Sequence, residues 1–315
     1  MTSMPHPLRI GTRRSDLARW QANHVVDRIA SLVGSPATEM VYIKTEGDRI
    51  TDVPLHAVQG KSFFTKEIEQ ALLDDRVDIA VHSLKDLATE MPDGLVIGAV
   101  LEREDPRDVL LSHSGVSLEA LPQGARVGTS SLRRRALIAR WRSDLELVDL
   151  RGNVPTRINK LKEGEFDAIV LAAAGVKRLG FDADITEYLP LEHVLPAVAQ
   201  GAVALQVRQG DEGVLHWAGQ LDHAETRQAT AAERALLNRL EGGCQVPVGA
   251  LAVVTMGELS LRSVVCSLDG VRSVEATCEG AVDKAEDIGR DLADTLSEQG
   301  AGAILAEIRA AAGDA

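Results

Sequence analysis

The chain has 315 residues, 45% of them hydrophobic, which is enough for about two or three domains with their own cores. Its formal net charge of −13 argues against a non-specific nucleic-acid or anionic-membrane binder. Three widely spaced cysteines do not form a disulfide framework, and residues 1–10 lack the apolar core of a signal peptide. A cytoplasmic protein without a membrane span is therefore expected.

Residues 1–101 alternate between short apolar runs and segments with helical spacing, which predicts an α/β unit. The predicted strands are Leu8–Thr12, Met40–Lys44, Val77–Val81 and Leu95–Val100. Helices are predicted from just after Asp16 to about Val33 and over Phe63–Leu73. The polar stretch Thr45–Gly60 is predicted to be a mobile loop or lid.

Charged side chains follow the first and third of these predicted strands. Arg13 lies at a strand's carboxyl end beside a helix N-terminus, a place where α/β proteins bind anions. Ser15 is explained most simply as the N-cap of that helix. Lys85 and Asp86 form either a surface ion pair or a pair of catalytic groups at the carboxyl end of the third strand.

A second α/β unit is predicted after a charged, proline-containing crossover at Glu102–Asp108. Its predicted strands, each followed by arginines, are Ala125–Gly128, Leu147–Leu150 and Ala168–Leu171. Arg134 lies three, four and seven residues before apolar positions of its helix, so it falls on the inward face. Because a solvated arginine does not belong there, the pattern predicts an anionic partner near this helix N-terminus.

Residues 126–160 form a basic stretch in an otherwise acidic chain. Nine are Arg or Lys and three are acidic, so the stretch carries +6 and the remainder carries −19. A local basic stretch favours a small polyanionic ligand in a cleft over a broad nucleic-acid face. The alternative is a solvated helix face.

The chain is then predicted to return to the first unit and to build a third. Pro190–Gln200 is the return crossover and Val203–Val207 an isolated strand, and a chain that crosses twice between two units can hinge about the pair. The third unit comprises a helix over Ala224–Leu240, a hairpin of Leu259–Leu268 and Val271–Cys278 around Asp269-Gly270, and helices over Val282–Ser297 and Gly302–Ala311. Cys266 and Cys278 share strand parity with apolar neighbours, which predicts core packing.

Cys244 lies in the loop Leu240–Ala250, after two glycines and before Pro247. Glycine and proline end the preceding helix and present the thiol on a loop. A lone cysteine is more often a small buried hydrophobe than a reactive group. The arginine-rich unit and Asp86 are what favour a covalent role for Cys244.

Six stretches, taken in order, resemble the motifs of one family. They are Arg9-Ile10-Gly11-Thr12-Arg13, His82-Ser83-Leu84-Lys85-Asp86, Val127-Gly128-Thr129-Ser130-Ser131-Leu132-Arg133-Arg134, Leu150-Arg151-Gly152-Asn153-Val154, Gln200-Gly201-Ala202 and Leu240-Glu241-Gly242-Gly243-Cys244-Gln245-Val246-Pro247. Together they resemble the porphobilinogen deaminase, or hydroxymethylbilane synthase, family from Leu8 to nearly the C-terminus. The chain departs from the family pattern at Asp16, Ser62 and Ala199, where proline, glycine and glycine are usual.

The resemblance implies a transferase of heme and porphyrin biosynthesis that joins four porphobilinogen molecules head to tail, releasing ammonia. It implies a dipyrromethane cofactor held by a thioether to Cys244, and Asp86 as the catalytic residue, a buried carboxylate that stabilises developing positive charge. The implied cofactor-binding positions are Lys85, Asp86, Thr129, Ser130, Ser131, Arg133, Arg134, Arg151, Gly152 and Cys244. The implied substrate-binding positions are Arg13, Ser15, Lys61, Arg157, Arg178 and Gln200. No metal is implied.

The implied fold is α/β: two hinge-linked α/β domains resembling periplasmic-binding-protein domains, plus a small α+β C-terminal domain that carries the cofactor cysteine. The expected boundaries are 1–101 with 202–219, 107–195, and 224–315. A cytoplasmic monomer with no nucleic-acid partner is expected. Two alternatives stay open, a non-catalytic hinge-bending anion-binding protein and a cysteine hydrolase. The first has no use for Cys244 and lacks an export signal, and the second lacks an evident histidine near Cys244 in sequence.

Overall fold

The computed structural model describes residues 6–45, 65–240 and 246–313. These residues form two units. The first contains the described residues up to 104 together with 201–227, and the second contains 105–200 together with those from 228 onward. The chain therefore passes between the units near residues 104, 200 and 227. The first passage lies within one segment predicted as a crossover, and the second lies at the end of the other. The division into three domains stays a prediction.

Strands and helices alternate through most of the described chain, which confirms the α/β class. The strands are β1 (Leu8–Thr12), β2 (Thr38–Tyr42), β3 (Ile79–Ser83), β4 (Leu95–Val100), β5 (Asp108–Ser112), β6 (Arg126–Gly128), β7 (Glu146–Val148), β8 (Ala168–Ala172), β9 (Glu187–Tyr188), β10 (Val203–Arg208), β11 (Val248–Thr255), β12 (Glu258–Cys266) and β13 (Ser273–Ala281). The helices are α1 (Asp16–Ala30), α2 (Lys66–Leu73), α3 (Leu132–Trp141), α4 (Val154–Lys162), α5 (Ala173–Arg178), α6 (Glu212–Gly219), α7 (Ala224–Arg239), α8 (Ala285–Glu298) and α9 (Ala301–Gly313). None of the helices in the described ranges has the length and apolar character needed to cross a membrane.

The sheet of the first unit has the strand order β2-β1-β3-β10-β4. β1 runs parallel to both β2 and β3, whereas β10 runs antiparallel between β3 and β4. Leu8 and Ile10 of β1 pack with Val25 and Ile29 of α1 in a core that excludes solvent. Because β1 and β3 are parallel, the residues that follow them emerge at the same edge of the sheet.

The second unit contains two sheets. The one formed by residues 108–188 has the strand order β7-β6-β8-β5-β9 and is covered on both faces. β6 is parallel to β7 and β8, and β5 is antiparallel to β8. Side chains of β5 alternate between the faces: Leu110 packs with Leu137 of α3, while Val109 and Leu111 pack with Ile158 of α4. This arrangement places the helices that follow β6 and β7 on opposite faces of the sheet.

The C-terminal residues form an antiparallel sheet, β11-β12-β13, covered by α8 and α9, so the α+β C-terminal part is confirmed. The predicted hairpin around Asp269-Gly270 joins β12 to β13, with Cys266 opposite Ser273. Cys266 is fully buried, which confirms its packing role, while Cys278 is half-buried. Burial raises the pKa of both thiols and makes them poor nucleophiles.

Some element boundaries differ from those predicted. α1 ends at Ala30 and not near Val33; Ser31 is its C-cap, and Gly34 follows with φ +74°, a left-handed conformation that cannot continue a helix. β3 lies two residues later than predicted, so His82 and Ser83 belong to the strand. Sequence patterns missed β5, β9, α6 and β11, which are short or lie directly beside a charged or proline-containing segment.

Candidate active site

Arg13, Ser15, Lys85 and Asp86 lie at the edge of the first sheet where β1 and β3 end. Ser15 is the N-cap of α1, and its hydroxyl accepts a hydrogen bond from the Ala18 backbone at 3.4 Å. The N-cap interpretation of Ser15 is therefore confirmed. Arg13 and Lys85 are half-buried. The structure thus brings together the residues of the first unit that the sequence analysis selected.

Asp86 ends a 3₁₀ turn, Leu84–Asp86, that directly follows β3. Leu84 is fully buried and its backbone N–H donates to the Ala202 carbonyl at 3.0 Å, which anchors the turn to the end of β10. The side chain of Asp86 is exposed, so the expectation of a buried carboxylate is wrong. An exposed carboxylate on an anchored turn can contact a substrate that arrives from solvent.

A buried polar cluster lies between β3, β10 and α2. It contains His82, Gln206 and Glu69, with exposed fractions of 5%, 0% and 6%. The Gln206 amide nitrogen donates to Glu69 Oε1 at 3.3 Å. Burial lowers the pKa of His82 to about 4; the nearby Gln206 side chain opposes this shift, and the positive charge of Arg13 adds to it. His82 is therefore neutral in the folded protein at pH 7.

The neutral state of His82 predicts a pH-dependent stability. The folded-state pKa of about 4 lies below the unfolded value of 6.5, so the unfolded chain binds a proton more readily between these values. His82 should therefore cost stability as pH falls from 6.5 to 4, by up to about 3 kcal/mol at 1.36 kcal/mol per pKa unit. Chemical unfolding of wild type and His82→Gln at pH 7 and pH 4.5 measures this term.

We expect the difference in unfolding free energy between the two pH values to be smaller in His82→Gln than in wild type. His216→Gln is the matched control, because His216 is exposed on α6. Equal pH dependence in all three proteins would contradict the prediction.

The arginines of the second unit follow three neighbouring parallel strands, β6, β7 and β8. α3 carries Arg133 and Arg134, the segment entering α4 carries Arg151, α4 carries Arg157, and the last turn of α5 carries Arg178. The prediction that three strand ends bring guanidinium groups to one edge of one sheet is confirmed. What these groups bind stays a prediction.

Arg133 and Arg134 form a buried ion-pair network with Asp108, the first residue of β5. The Asp108 side chain is fully buried; Oδ1 accepts from Arg134 Nη2 at 2.8 Å and Nε at 3.1 Å, and Oδ2 accepts from Arg133 Nη1 at 2.7 Å. Gln200 Nε2 also donates to Oδ1, at 2.9 Å. An anionic partner was predicted for Arg134 near the N-terminus of α3. The structure shows that one such partner is the Asp108 carboxylate of the same chain.

The charges of this network do not balance. Burial alone would raise the pKa of Asp108, but the Arg133 and Arg134 guanidinium groups outweigh it and hold that pKa well below its usual range. Two cations and one anion leave a net charge of +1. Arg133 Nε is buried and has no hydrogen-bond partner among the described residues. The network therefore retains one positive charge that no carboxylate within it balances.

Hydroxyl groups at the start of α3 are engaged locally. Ser130 Oγ donates to the Leu150 carbonyl at 2.7 Å and accepts from the Leu150 N–H at 3.1 Å, which joins the loops after β6 and β7. Ser131 is the N-cap of α3 and accepts from the Arg134 backbone at 3.4 Å, and Thr129 Oγ1 accepts from the Ser131 backbone at 3.3 Å. These three residues shape the arginine site, and their contact with a cofactor stays a prediction.

Arg157 lies close to two other cations. Burial lowers its pKa to about 10, and the positive charges of Arg134 and Arg151 add to this effect. Its Nε donates to the Gly152 carbonyl at 2.7 Å. Gly152 has φ +113°, and a Cβ there would lie 2.8 Å from Thr156 Cγ2, so only glycine fits. The backbone is thereby shaped to hold Arg157 beside Arg134 and Arg151, a grouping that an anion would stabilise.

Other members of the basic stretch form ion pairs at or near the surface. The pairs, with their N–O distances, are Arg126–Glu146 at 3.9 Å, Arg135–Asp149 at 3.2 Å, Arg140–Glu275 at 3.5 Å and Arg142–Asp144 at 2.6 Å. Exposed pairs of this kind contribute about 0 to 1 kcal/mol each. The alternative of a solvated face is therefore correct for Arg126, Arg135 and Arg140. Arg142 is only 17% exposed and also donates to backbone carbonyls of residues 118, 119 and 121. Anion binding by the remaining arginines stays a prediction.

The remaining predicted site positions are Gln200, Lys61 and Cys244. Gln200 is buried, with its amide nitrogen on Asp108 Oδ1 and on the Pro106 carbonyl at 2.8 Å, so direct contact with substrate stays a prediction. Lys61 and Cys244 lie outside the described residues. The sequence did not predict a role for Asp108, although the inward-facing Arg134 is a signal for a buried counter-charge.

Two family models match the chain. "Porphobilinogen deaminase, dipyromethane cofactor binding domain" matches residues 8–216, and "Porphobilinogen deaminase, C-terminal domain" matches residues 228–298. Among solved structures, the methionine binding protein MetQ is similar over 74% of this chain and 94% of its own, with 13% identity and a TM-score of 0.42.

Curated proteins that resemble the chain over nearly its whole length carry one name. The porphobilinogen deaminase of Syntrophomonas wolfei is 52% identical over 96% of this chain and 99% of its own length. Those of Geobacter metallireducens and Brevibacillus brevis are each 51% identical, over 96% and 95% of this chain and 95% and 97% of their own lengths. The chain therefore belongs to the porphobilinogen deaminase family, transferases of tetrapyrrole synthesis with a dipyrromethane cofactor.

Proposed function

We propose that the chain condenses four porphobilinogen molecules head to tail, with release of ammonia, on a dipyrromethane attached to Cys244. The observation that carries this proposal is the group of guanidinium side chains at the carboxyl edge of the second sheet. Each pyrrole unit bears two carboxylates, so a primer extended by four units bears about twelve, and fixed guanidinium groups are suited to hold them. A non-catalytic anion receptor would not need the loop cysteine.

Two features of the second unit fit a cofactor that bears carboxylates. Arg133 Nε is a buried donor without a partner among the described residues, in a network of net charge +1. Arg157 is held near the like charges of Arg134 and Arg151, which lowers its pKa to about 10. An acceptor carboxylate would satisfy the donor and offset the repulsion. We infer that Arg133, Arg134, Arg151 and Arg157 would hold such a cofactor.

Residues of the first unit supply a negative charge that stabilises the reacting cation and positive charges that bind the substrate. Loss of ammonia from porphobilinogen leaves a cationic electrophile, and the carboxylate of Asp86 stabilises that charge as it develops. Lys85 and Arg13, at the same edge of the first sheet, bind the substrate's carboxylates. When bound, the dipyrromethane supplies the terminal pyrrole to which the next unit is joined. Covalent attachment keeps the product in place between additions and makes each joining step intramolecular.

The attachment to Cys244 predicts a measurable adduct. Intact mass spectrometry of the purified protein should give a mass above that of the sequence by two linked pyrrole units, and peptide mapping should place them on Cys244. Cys266→Ser and Cys278→Ser are matched controls, because burial raises the pKa of both thiols and disfavours the thiolate. Active protein with Cys244 free, or loss of the adduct in either control, would contradict the assignment.

We further infer that the protein acts as a monomer in the cytoplasm, without nucleic-acid partners, and that its three predicted domains are 1–101 with 202–219, 107–195 and 224–315. The acidic net charge and the widely spaced cysteines support the compartment and the partner inference. Sedimentation of the purified protein as a single chain would support the monomer, and a stable dimer would exclude it.

A further inference from the structure

Glu233, on α7, has a fully buried carboxylate that accepts two backbone hydrogen bonds from different parts of the second unit. Oε2 accepts from the Ala199 N–H at 2.6 Å, and Oε1 accepts from the Ala252 N–H of β11 at 2.9 Å. Burial of a carboxylate is costly unless donors compensate it. Helix α7, strand β11 and the turn at Ala199 are therefore fixed around one side chain.

The turn at Ala199 has an unfavourable backbone conformation. Ala199 is fully buried and has φ +59°, in the left-handed region that a residue with a Cβ avoids. The next residue, Gln200, donates its backbone N–H to the Ala197 carbonyl at 3.0 Å. Such a conformation persists only when surrounding contacts hold it. The hydrogen bond from Ala199 to Glu233 is such a contact.

The same turn sets the side chain of Gln200. Its amide nitrogen donates to Asp108 Oδ1 at 2.9 Å, and Asp108 accepts from Arg133 and Arg134. A continuous series of buried hydrogen bonds and one peptide link thus runs from Glu233 to the guanidinium pair. None of these contacts leaves the second unit.

A second contact route links β11 to the same pair. The Ala250 N–H donates to the Pro196 carbonyl at 2.9 Å, and a Cβ on Gly249 would lie 2.9 Å from the Leu195 carbonyl oxygen. That Leu195 carbonyl accepts from Arg133 Nη1 at 2.6 Å. Since Glu233 also holds β11 at Ala252, both routes converge on its carboxylate.

We propose that Glu233 is a positioning residue: it holds the Ala199 turn so that Gln200 and Asp108 fix the Arg133 and Arg134 guanidinium groups for carboxylate binding. The proposal rests on the proposed function, in which these arginines bind carboxylates. It assigns Glu233 no contact with substrate or cofactor.

Glu233→Gln tests the proposal, because it keeps the shape but places an amide N–H₂ against a backbone donor. Loss of one hydrogen bond to a charged acceptor should lower kcat/KM for porphobilinogen roughly tenfold, mostly through a higher KM. Intact mass should also show a smaller fraction of chains with the pyrrole adduct. Glu225→Gln, at an exposed position in the first turn of α7, is the matched control and should change neither value.

Ala199→Gly is the decisive second variant. Glycine adopts positive φ without a Cβ clash, so the turn should need Glu233 less. We expect Ala199→Gly to restore most of the lost kcat/KM and adduct in the Glu233→Gln background, and to change little on its own. In a Gln200→Leu background, Glu233→Gln should cause little additional loss, because both changes act on the same chain of contacts.

The outcomes separate the two proposals. If wild type and Glu225→Gln do not turn over porphobilinogen, the proposed function is wrong. If they are active and Glu233→Gln matches them, or if Glu233→Gln is impaired but Ala199→Gly gives no rescue, the positioning role is wrong. Rescue together with non-additivity supports it.

Discussion

Replacing Asp108 with asparagine is expected to lower the free energy of unfolding by about 3 to 5 kcal/mol, because it leaves two buried guanidinium groups without their shared counter-charge. Asp108 is fully buried, and the side chains of Arg133 and Arg134 are only 4% and 8% exposed, so water cannot substitute for the carboxylate. Urea unfolding of wild type and variant at pH 7 measures the loss. Asp108→Glu keeps the charge but adds a methylene to a packed site, which costs about 1 to 3 kcal/mol.

The matched control is Asp149→Asn, which removes the carboxylate from the exposed pair with Arg135. Its cost should stay below about 1 kcal/mol. Similar losses for Asp108→Asn and Asp149→Asn would show that the buried network is no more important to stability than a surface pair.

The second large effect concerns turnover. Asp86→Asn keeps the size of the side chain but removes the charge that stabilises the developing cation, and turnover of porphobilinogen should fall by about a hundred- to a thousandfold. Because Asp86 is exposed, the unfolding free energy should change by less than about 0.5 kcal/mol. Chemistry and stability are therefore separable at this position, as they are not at Asp108. Steady-state kinetics and intact mass of the same preparation make both measurements.

Asp86→Glu tests whether charge matters more than shape. It retains the carboxylate and moves it by one methylene, and displacement by about 1 Å can cost a hundredfold in rate. We expect activity to be impaired but higher than that of Asp86→Asn. Asp93→Asn, at another exposed position of the first unit, should be silent. Near-normal turnover by Asp86→Asn with the adduct in place would mean that the catalytic carboxylate lies elsewhere.

Sequence patterns predicted the parts of the site that depend on local order. The inward face of α3 and the emergence of arginines after β6, β7 and β8 follow from helical spacing and from the geometry of parallel strands. The N-cap at Ser15 and the hairpin at Asp269-Gly270 follow from the chemistry of single residues. Each of these features depends on residues close together in the sequence, so it can be predicted without knowing the tertiary contacts.

The ion-pair and hydrogen-bond partners of these arginines could not be predicted from local sequence patterns. Asp108 lies 25 and 26 residues from the arginines it binds, and Gln200 lies 92 residues from Asp108. Asp108 ends a charged run, which made it look like part of a crossover, whereas the apolar residues after it bury it as the start of β5. The exposure of Asp86 is likewise a property of tertiary packing. Sequence spacing therefore predicts where the arginines lie. Only the folded structure shows which of their positive charges are balanced by carboxylates such as Asp108.

The position of β10 has a consequence for biosynthesis. β10 lies between β3 and β4, yet the ribosome adds its residues only after 105–200. The five strands β5 to β9 (residues 108–188) are all synthesised before β10. Their sheet can therefore pair completely while β3 and β4 still have the edges that β10 will later occupy unpaired. At about 5 to 20 residues per second, this interval lasts roughly 5 to 20 seconds. During that time the unpaired edges of β3 and β4 can associate with strand edges of other chains.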